Sequence, residues 1–325
     1  MDTKRVDFSL DNKKVWIAGH NGMVGQALSR RLSTEMCDVL CVSRADLDLR
    51  EQSGVKNWMM KHKPDVVILA AAKVGGIIAN SENPAEFFYD NIAIATNVIH
   101  SAYETGVEKL LFLGSSCIYP RECVQPIKEE ALLSAALEPT NEGYALAKIG
   151  GLKMAQYYRS QYDCDFISAM PCNLFGVGDT YHEQHSHVIP AMIMKAHAAK
   201  EQGDKAITFW GTGSPTREFL DVDSLADALV FLLQKYSDDM HINVGAGQDI
   251  TIRTLARIVC EQVGYGGDVL FDESKPDGTP KKCLDVSRLE TLGWETVLCD
   301  RTAESYKKYL ETNIKNAYLD FKSKL

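Results

Sequence analysis

The sequence predicts an α/β protein built on a doubly wound parallel sheet, with a smaller, mixed α/β substrate domain attached. Three observations carry that prediction. Short apolar runs recur through the first half of the chain with helical apolar spacing between them. The first run opens directly into a glycine turn and a helix. At 325 residues the chain also exceeds what one hydrophobic core usually serves.

In chain order, Val15–Ala18 reads as a short buried strand, followed by Gly19-His-Asn-Gly22-Met-Val-Gly25 and the helical run Gln26–Leu32. Glycines there let the backbone turn tightly and approach a pyrophosphate, whose charge is met by the N–H groups and dipole of the helix N-terminus. The spacing is G-x-x-G-x-x-G, and such a triplet carries weight only in this strand, turn and helix context. A second strand is expected at Asp38–Arg44. An NAD site would place an acid at its end, on the ribose 2′-hydroxyl. Here the run ends in Ser43 and Arg44, and a guanidinium suits a 2′-phosphate, so NADP(H) is expected. Asp46 and Asp48 lie beyond the strand and keep an NAD reading open.

Asp65–Ala72 reads as the third strand, entering a loop with Gly75 and Gly76, and Lys109–Gly114 and Phe166–Met170 as further strands. Helices are expected over 87–104 and 141–159. After Asn173-Leu-Phe-Gly176 the rhythm changes to loops and short elements, and the chain returns to the sheet near His241–Val244. The expected division is therefore 1–172 with about 215–245 as the dinucleotide-binding domain, and 173–214 with 246–325 as the substrate domain.

The chemistry is concentrated after the fourth expected strand. Ser115-Ser-Cys117 follows it directly, and Tyr144-Ala-Leu-Ala-Lys148 comes about thirty residues later. Positions i and i+4 share a helix face, so Tyr144 and Lys148 can address one site. A phenol has an ordinary pKa of about 10, and a nearby ammonium favours its anion, so Tyr144 is expected to be drawn towards working pH. Ser115 and Tyr144 can then bond a carbonyl oxygen while hydride arrives at carbon. An isolated Tyr-x-x-x-Lys is more often an ordinary helix face; the strand-end serine and the glycine turn reverse that weighting.

Composition narrows the rest. A net charge of −9 argues against a nucleic-acid surface but does not exclude a phosphorylated ligand, which answers to local cations. There is no long apolar run and no cleavable leader, so a soluble, cytoplasmic protein is expected. The nine cysteines, at 37, 41, 117, 123, 164, 172, 260, 283 and 299, form no C-x-x-C pair and no metal-ligand spacing. No metal is expected, and most of these cysteines should be small, reduced core residues.

Taken together, the glycine turn, Ser115, Tyr144-x-x-x-Lys148 and Pro171-x-Asn173-x-Phe175-Gly176 resemble the extended short-chain dehydrogenase/reductases acting on nucleotide sugars, which have a Rossmann cofactor domain. Ala18–Gly25, Ala70–Gly76, Leu113–Pro120, Glu138–Glu142, Ser186–Pro190, Arg217–Leu220 and Lys275–Pro280 are similar, more narrowly, to the GDP-L-fucose synthase family. Cys117 in the strand-end motif and the Ser-His-Val-Ile-Pro segment are not general features of the superfamily.

The resemblance implies an NADPH-dependent epimerase-reductase that inverts C3 and C5 of GDP-4-keto-6-deoxy-D-mannose and reduces C4. Ser115, Tyr144 and Lys148 match the family's reductase set, and Cys117 and His187 its base and acid. Implied cofactor contacts are Gly19, Asn21, Gly22, Met23, Val24, Gly25, Arg44, Asp48, Leu49, Ala71, Ala72, Tyr144, Lys148, Pro171, Asn173, Leu174 and His187. Implied substrate contacts are Asn173, Val188, Lys195, Trp210, Arg217, Asp277 and Lys282. Two positions depart from the family pattern. Met194-Lys195 stand where its bacterial members carry two arginines, and Asn21 replaces a basic residue often found in the glycine loop.

A homodimer is also implied, through a four-helix bundle of the helices near 88–104 and 142–159. Three alternatives remain open at this point. A 4-keto sugar reductase without epimerisation needs neither Cys117 nor His187. A nucleotide-sugar 4-epimerase would prefer an acid where Arg44 stands. A redox-sensing binding module would have no use for an activated Tyr144.

Overall fold

The computed structural model describes residues 6–182, 186–275, 277–295, 298, 300 and 302–325; Pro276 of the Lys275–Pro280 motif and Cys299 lie outside the described residues. The chain runs β1 (Lys14–Ala18), α1 (Met23–Leu32), β2 (Asp38–Leu40), α2 (Gln52–His62), β3 (Val66–Leu69), α3 (Ile77–Glu82), α4 (Pro84–Glu104), β4 (Lys109–Leu113), α5 (Glu142–Tyr162) and β5 (Asp165–Pro171). It continues through β6 (Asn173–Phe175), α6 (Val188–Gln202), β7 (Ala206–Trp210), β8 (Thr216–Arg217), β9 (Phe219–Asp221), α7 (Val222–Lys235) and β10 (Ile242–Val244). It ends with β11 (Ile250–Thr251), α8 (Ile252–Val263), β12 (Asp268–Asp272), β13 (Lys281–Lys282), α9 (Ser287–Thr291) and α10 (Ala303–Ser323).

Six strands form one parallel sheet in the order β10-β5-β4-β3-β1-β2. Every residue of β3 and β4 is buried, as a sheet covered on both faces requires. The chain leaves β1 for the edge at β2 and returns on the other side of β1 at β3. Winding therefore reverses between β1 and β3, and a crevice opens at their carboxyl ends. Helix α1 packs beside α7, and α4 lies against both α2 and α5.

The second strand is shorter than expected. It pairs with β1 over Asp38–Leu40 only, because it is an edge strand with no neighbour on its outer side. Beyond it the chain turns, with Asp46 N–H donating to the Ser43 carbonyl (3.1 Å). Arg44 thus sits in that turn rather than on the strand. β3 stops at Leu69 for a related reason. The Ala70 and Ala71 N–H groups both donate to the Ala18 carbonyl, which draws the chain out of the ladder and over the glycine turn.

That turn needs glycine at two places. Gly19 has φ +104°, and a Cβ on it would stand 2.6 Å from Ala71 N; a Cβ on Gly25 would stand 2.1 Å from the Gly19 carbonyl oxygen. A Cβ on Gly22 would meet only the Gly19 oxygen at 3.5 Å, so space remains in front of it. Gly22 precedes α1 without a side-chain cap, and the first turn carries no acid, which leaves the helix's N–H groups open to an anion.

The later part of the chain builds small sheets. β8 pairs with β11 and β13, β7 with β12, and β6 with β9. α10 packs on α8 and α6. Among the described residues no helix is long and apolar enough to cross a membrane, and no cluster of His, Cys, Asp and Glu could hold a metal. The eight described cysteines are unpaired, but only Cys172, Cys260 and Cys283 are buried. Cys37, Cys123 and Cys164 pack at the core's margin, Cys41 is exposed, and Cys117 faces a cleft, so the expectation of mostly core cysteines is only partly met.

Lys109, at the start of β4, ties the sheet to α5 and α7. Its wholly buried Nζ donates to Asp165 Oδ2 (2.6 Å) and the Tyr236 carbonyl (2.7 Å), while Arg159 and Ser237 hold Asp165 Oδ1. Burial pushes the Asp165 carboxyl up, but the Lys109 charge and the surrounding hydrogen bonds outweigh it and bring it below its ordinary value. Asp165→Ala would leave the Lys109 charge unmatched. Urea denaturation at pH 7 should show a loss of about 3 kcal/mol, the low end for a broken buried pair because Asp165 is partly solvated. A loss below about 1 kcal/mol would mean the pair behaves like a surface one.

Candidate active site

The carboxyl ends of β1, β3, β4 and β5 open into one cleft of ≈ 2240 Å³. A drug-sized ligand occupies roughly 300–1,000 Å³, so this cleft has room for two such molecules. Every site residue expected from the sequence lines it, from Gly19 in the glycine turn to Lys282 in β13.

The reactive end is assembled by β4 and α5. Ser115 is extended and caps a single 3₁₀ turn, Ser116–Ile118, with Oγ accepting from Cys117 N–H (3.3 Å). That turn presents the half-buried Cys117 to the cleft. Tyr144, in the first turn of α5, has the Ser115 hydroxyl as a polar neighbour that favours its anion. Lys148, one turn further on, is buried, with Nζ donating to the Leu113 carbonyl (2.8 Å) and standing 5.8 Å from the Tyr144 ring centroid.

Tyr144 and Lys148 therefore share a site as expected, but the expected downward pull on the phenol is not what this geometry produces. Burial pushes the Tyr144 phenol above its ordinary value, the nearby Cys117 adds to that, and the Ser115 hydroxyl opposes it without cancelling. The Lys148 ammonium lies over the ring and bonds a carbonyl. Burial brings it down to about 8, with Cys117 opposing. Tyr144 is thus held as a proton donor at neutral pH.

Cys117 Sγ accepts a hydrogen bond from Asn141 Nδ2 (3.3 Å). His187 comes from another wall, immediately before α6. Its ring is half exposed, with Nδ1 3.9 Å from Asp179 Oδ1. Asp179 is buried, and its Oδ1 also accepts from Thr180 N–H (2.8 Å).

At the cofactor rim the two acids that kept NAD open are already engaged. Asp46 accepts from Ser43 Oγ (2.5 Å). Arg50 forks onto Asp48 at 2.6–3.1 Å and, through those hydrogen bonds, holds its carboxyl down to about 2. Arg44 is exposed, lines the cleft and makes no ion pair among the described residues. A guanidinium without an ionic partner, in the same cleft as the uncapped α1 N-terminus, fits a dinucleotide carrying a 2′-phosphate.

The other end gathers the expected substrate residues. Trp210 is 66% exposed, with Lys275 Nζ 5.7 Å from its ring. Arg217 is half-buried and donates to the Thr216 carbonyl (2.8 Å); burial lowers its guanidinium, with Asp277 opposing. Asp277 itself is held by Thr212, through N–H at 2.9 Å and Oγ at 2.7 Å, and so fastens its loop to the turn after β7. Lys195 is turned onto the Thr208 carbonyl and the Phe209 ring. Asn173 Nδ2 donates to the Glu218 carbonyl (2.9 Å), and Val188 opens α6 at the cleft wall.

Four residues of this site escaped the sequence reading. Asn141 stands three positions before Tyr144, a helical spacing that could have flagged it. Arg50, Asp179 and Glu218 carry no such signal, because their partners are set by turns and by strands distant in sequence.

With this geometry in place, comparison with known proteins is informative. The chain belongs to the NAD dependent epimerase/dehydratase family, whose model matches residues 15–245. Within that class it is 53% identical to a GDP-L-fucose synthase from Sinorhizobium fredii over 305 residues, covering 93% of this chain and 97% of that protein. It is also 53% identical to GDP-L-fucose synthase 1 from Arabidopsis thaliana, covering 92% and 93%. Among solved structures it is similar to a GDP-mannoheptose C4 reductase from Campylobacter jejuni with NADP bound, with TM-score 0.84, 33% identity, and coverage of 96% and 98%.

Glu218 lies under the substrate end, between Arg217 and Phe219. Its Oε1 accepts from Gly247 N–H (2.7 Å) and its Oε2 from Leu284 N–H (2.8 Å), joining the β8–β9 junction to two loops. Burial raises its carboxyl to about 7 against those backbone hydrogen bonds. Between its ordinary value and about 7 the native state binds more protons than the unfolded chain, so its contribution to stability falls as pH rises through that window. Glu218→Gln should remove this slope, worth on the order of 3 kcal/mol across the full shift. The variant will be less stable throughout, because an amide NH₂ faces a backbone donor. Parallel slopes from pH 4.5 to 7 in urea melts of the two proteins would refute this.

Proposed function

We infer that this chain makes GDP-L-fucose, inverting C3 and C5 of GDP-4-keto-6-deoxy-D-mannose and reducing C4 with NADPH in one cleft. The observation that carries the reading is the group at the end of β4. Ser115 and Tyr144 are neighbours there, Cys117 stands one turn away, and His187 enters from a separate wall of the same cleft.

The chemistry follows from those positions. C3 and C5 flank the ketone, so their protons are acidified. Cys117 removes a proton from carbon, the electron pair passes to the ketone oxygen, and Ser115 and Tyr144 hold the resulting enolate. His187 returns a proton to carbon from the opposite face. In the final reduction Tyr144, kept protonated by burial, gives its proton to O4, and the Lys148 charge behind the ring steadies the phenolate left behind. NADPH, when bound, supplies the hydride.

The glycine turn and the open α1 N-terminus would hold the cofactor's pyrophosphate, and Arg44 its 2′-phosphate. Arg217 and Lys282 would meet the GDP diphosphate and Trp210 would stack on its base. Asp277 acts here by fixing the loop beside Arg217. Cys117 and His187 favour the epimerase-reductase over a plain reductase, and a free Arg44 favours it over an NAD-retaining epimerase.

The same reading assigns 1–172 with about 215–245 to cofactor binding and 173–214 with 246–325 to the GDP-sugar. The pairing of β10 with β5 supports that division. A homodimer through α4 and α5 is part of it. The two helices pack together and carry exposed Phe88, Tyr103, Leu146, Tyr157 and Tyr162, an apolar face suited to a four-helix bundle. The unpaired cysteines suit a cytoplasmic setting.

Two experiments test the proposal. Arg44→Ala should raise the KM for NADPH about tenfold or more and leave that for NADH nearly unchanged, since only the former offers a phosphate to the guanidinium. Equal losses would make Arg44 structural. Cys117→Ser should suppress deuterium uptake from solvent at the sugar ring by on the order of 10²- to 10⁴-fold, because a hydroxyl is far harder to deprotonate than a thiol. Hydride transfer should survive and give a GDP-6-deoxyhexose of altered stereochemistry. Normal GDP-L-fucose output from that variant would remove Cys117 from the mechanism.

A further inference from the structure

Building on the assignment of Cys117 as the base, we propose that Asn141 is a positioning residue for epimerisation: its amide N–H holds the Cys117 sulfur at the cleft and meets the negative charge the sulfur carries while it acts. The Nδ2–Sγ separation is 3.3 Å. A thiolate only accepts hydrogen bonds, so it is the amide N–H that must face it.

The state of its Oδ1 argues against a plain structural role. Asn141 occupies the N-cap position of α5, where an Asn side chain ordinarily accepts from the backbone N–H groups of the first turn, yet it makes no such bond. Its Oδ1 is also buried without a hydrogen-bond partner. A buried carbonyl left unmet is unfavourable. The side chain therefore forgoes both a cap and a partner for its oxygen while its N–H stays on the sulfur. Asn141, Tyr144 and Lys148 then follow one another at helical spacings of three and four, so a single helix start orients the base, the proton donor and the charge behind it.

The proton balance is simple. The ring C–H bond breaks, its proton forms S–H on Cys117, and its electron pair goes to the ketone oxygen. Asn141 gains and loses nothing. It steadies the charged sulfur before the transfer.

Asn141→Asp separates the two roles, because Asp caps helices as well as Asn but offers no N–H and brings a negative charge towards the sulfur. On the folded, full-length enzyme, iodoacetamide alkylation of Cys117 at pH 7, followed by peptide mass spectrometry, should slow by on the order of tenfold or more. Deuterium uptake at the sugar ring should slow similarly. With NADPH present, the share of product reduced without inversion should rise, because the Ser115, Tyr144 and Lys148 set is intact. Asn141→Ala should move the deuterium and product readouts the same way by less, and serves should the Asp variant fold poorly.

Wild-type alkylation, exchange and product ratio in Asn141→Asp would leave Asn141 without a role at Cys117 and overturn the proposal. A drop in epimerisation and reduction by the same factor, with alkylation unchanged, would also overturn it. Cys117→Ser run alongside keeps the two claims apart. If that variant retains exchange, the base assignment itself falls. If it loses exchange while Asn141→Asp keeps it, only the role of Asn141 falls.

Discussion

The chemistry depends on how closely α5 sits against β4. Lys148 can reach the Leu113 carbonyl only if the helix lies almost in contact with the strand, and the glycine at 151 permits this. A Cβ on Gly151 would stand 2.5 Å from Phe112 Cζ in β4, while one on Gly150 would stand 2.7 Å from Ile92 Cδ1 in α4, so the neighbouring glycine serves the contact with that helix. Glycine inside a helix is less favourable than alanine by about 1 kcal/mol, so the pair is a local weakness accepted for proximity. That proximity puts Tyr144 beside Ser115 and Asn141 beside Cys117. Shift the helix outward by the width of a methyl group and every one of those contacts opens.

Burial then decides what each group can do. The same desolvation that pushes the Tyr144 phenol up brings the Lys148 ammonium down to about 8, because in each case it penalises the charged form. The phenol becomes a reliable donor rather than a preformed anion, which suits reduction of a ketone. Lys148 keeps most of its charge below that value, and its place behind the ring matters most once the proton has left. At the rim the logic is different, since the groups there are solvated. Selection between cofactors turns on which charges remain unpaired. Arg50 neutralises Asp48, Ser43 engages Asp46, and Arg44 faces the cleft without an ionic partner among the described residues.

Much of this was legible in the sequence where the signal is local. β1 and β4 announce themselves because a strand buried on both faces must be apolar throughout, and the i, i+4 spacing placed Tyr144 and Lys148 on one face. What the sequence hid is long-range. β2 was drawn four residues too long, because the apolar run continues past Leu40 while the pairing partner does not. Periodicity says which way Tyr144 points and nothing about how deeply it is buried, so the direction of its shift was read wrongly. The spacing of Asn141 from Tyr144 could have flagged the residue, but its contact with Cys117 spans 24 positions and no local pattern reaches that far. Arg50 was missed because only the folded turn brings its guanidinium back onto Asp48.

The two ends of the cleft are built to different tolerances. At the reductase end the groups are buried or tied. Lys148 is fixed to a backbone carbonyl, Ser115 to the 3₁₀ turn it caps, and Cys117 to Asn141. At the GDP-sugar end Trp210 is largely exposed, and Lys195 has turned its single charge onto the β7 backbone. A lysine at position 195 forms one point contact where an arginine would fork, so it can leave Thr208 for a phosphate without breaking a bidentate geometry. One base that must serve two carbons of the same ring cannot be in place for both at once. On the proposed reading, with Cys117 and the Ser115–Tyr144 pair tied in place, the freedom needed to present C3 and then C5 falls to the ring and to the residues assigned to its nucleotide.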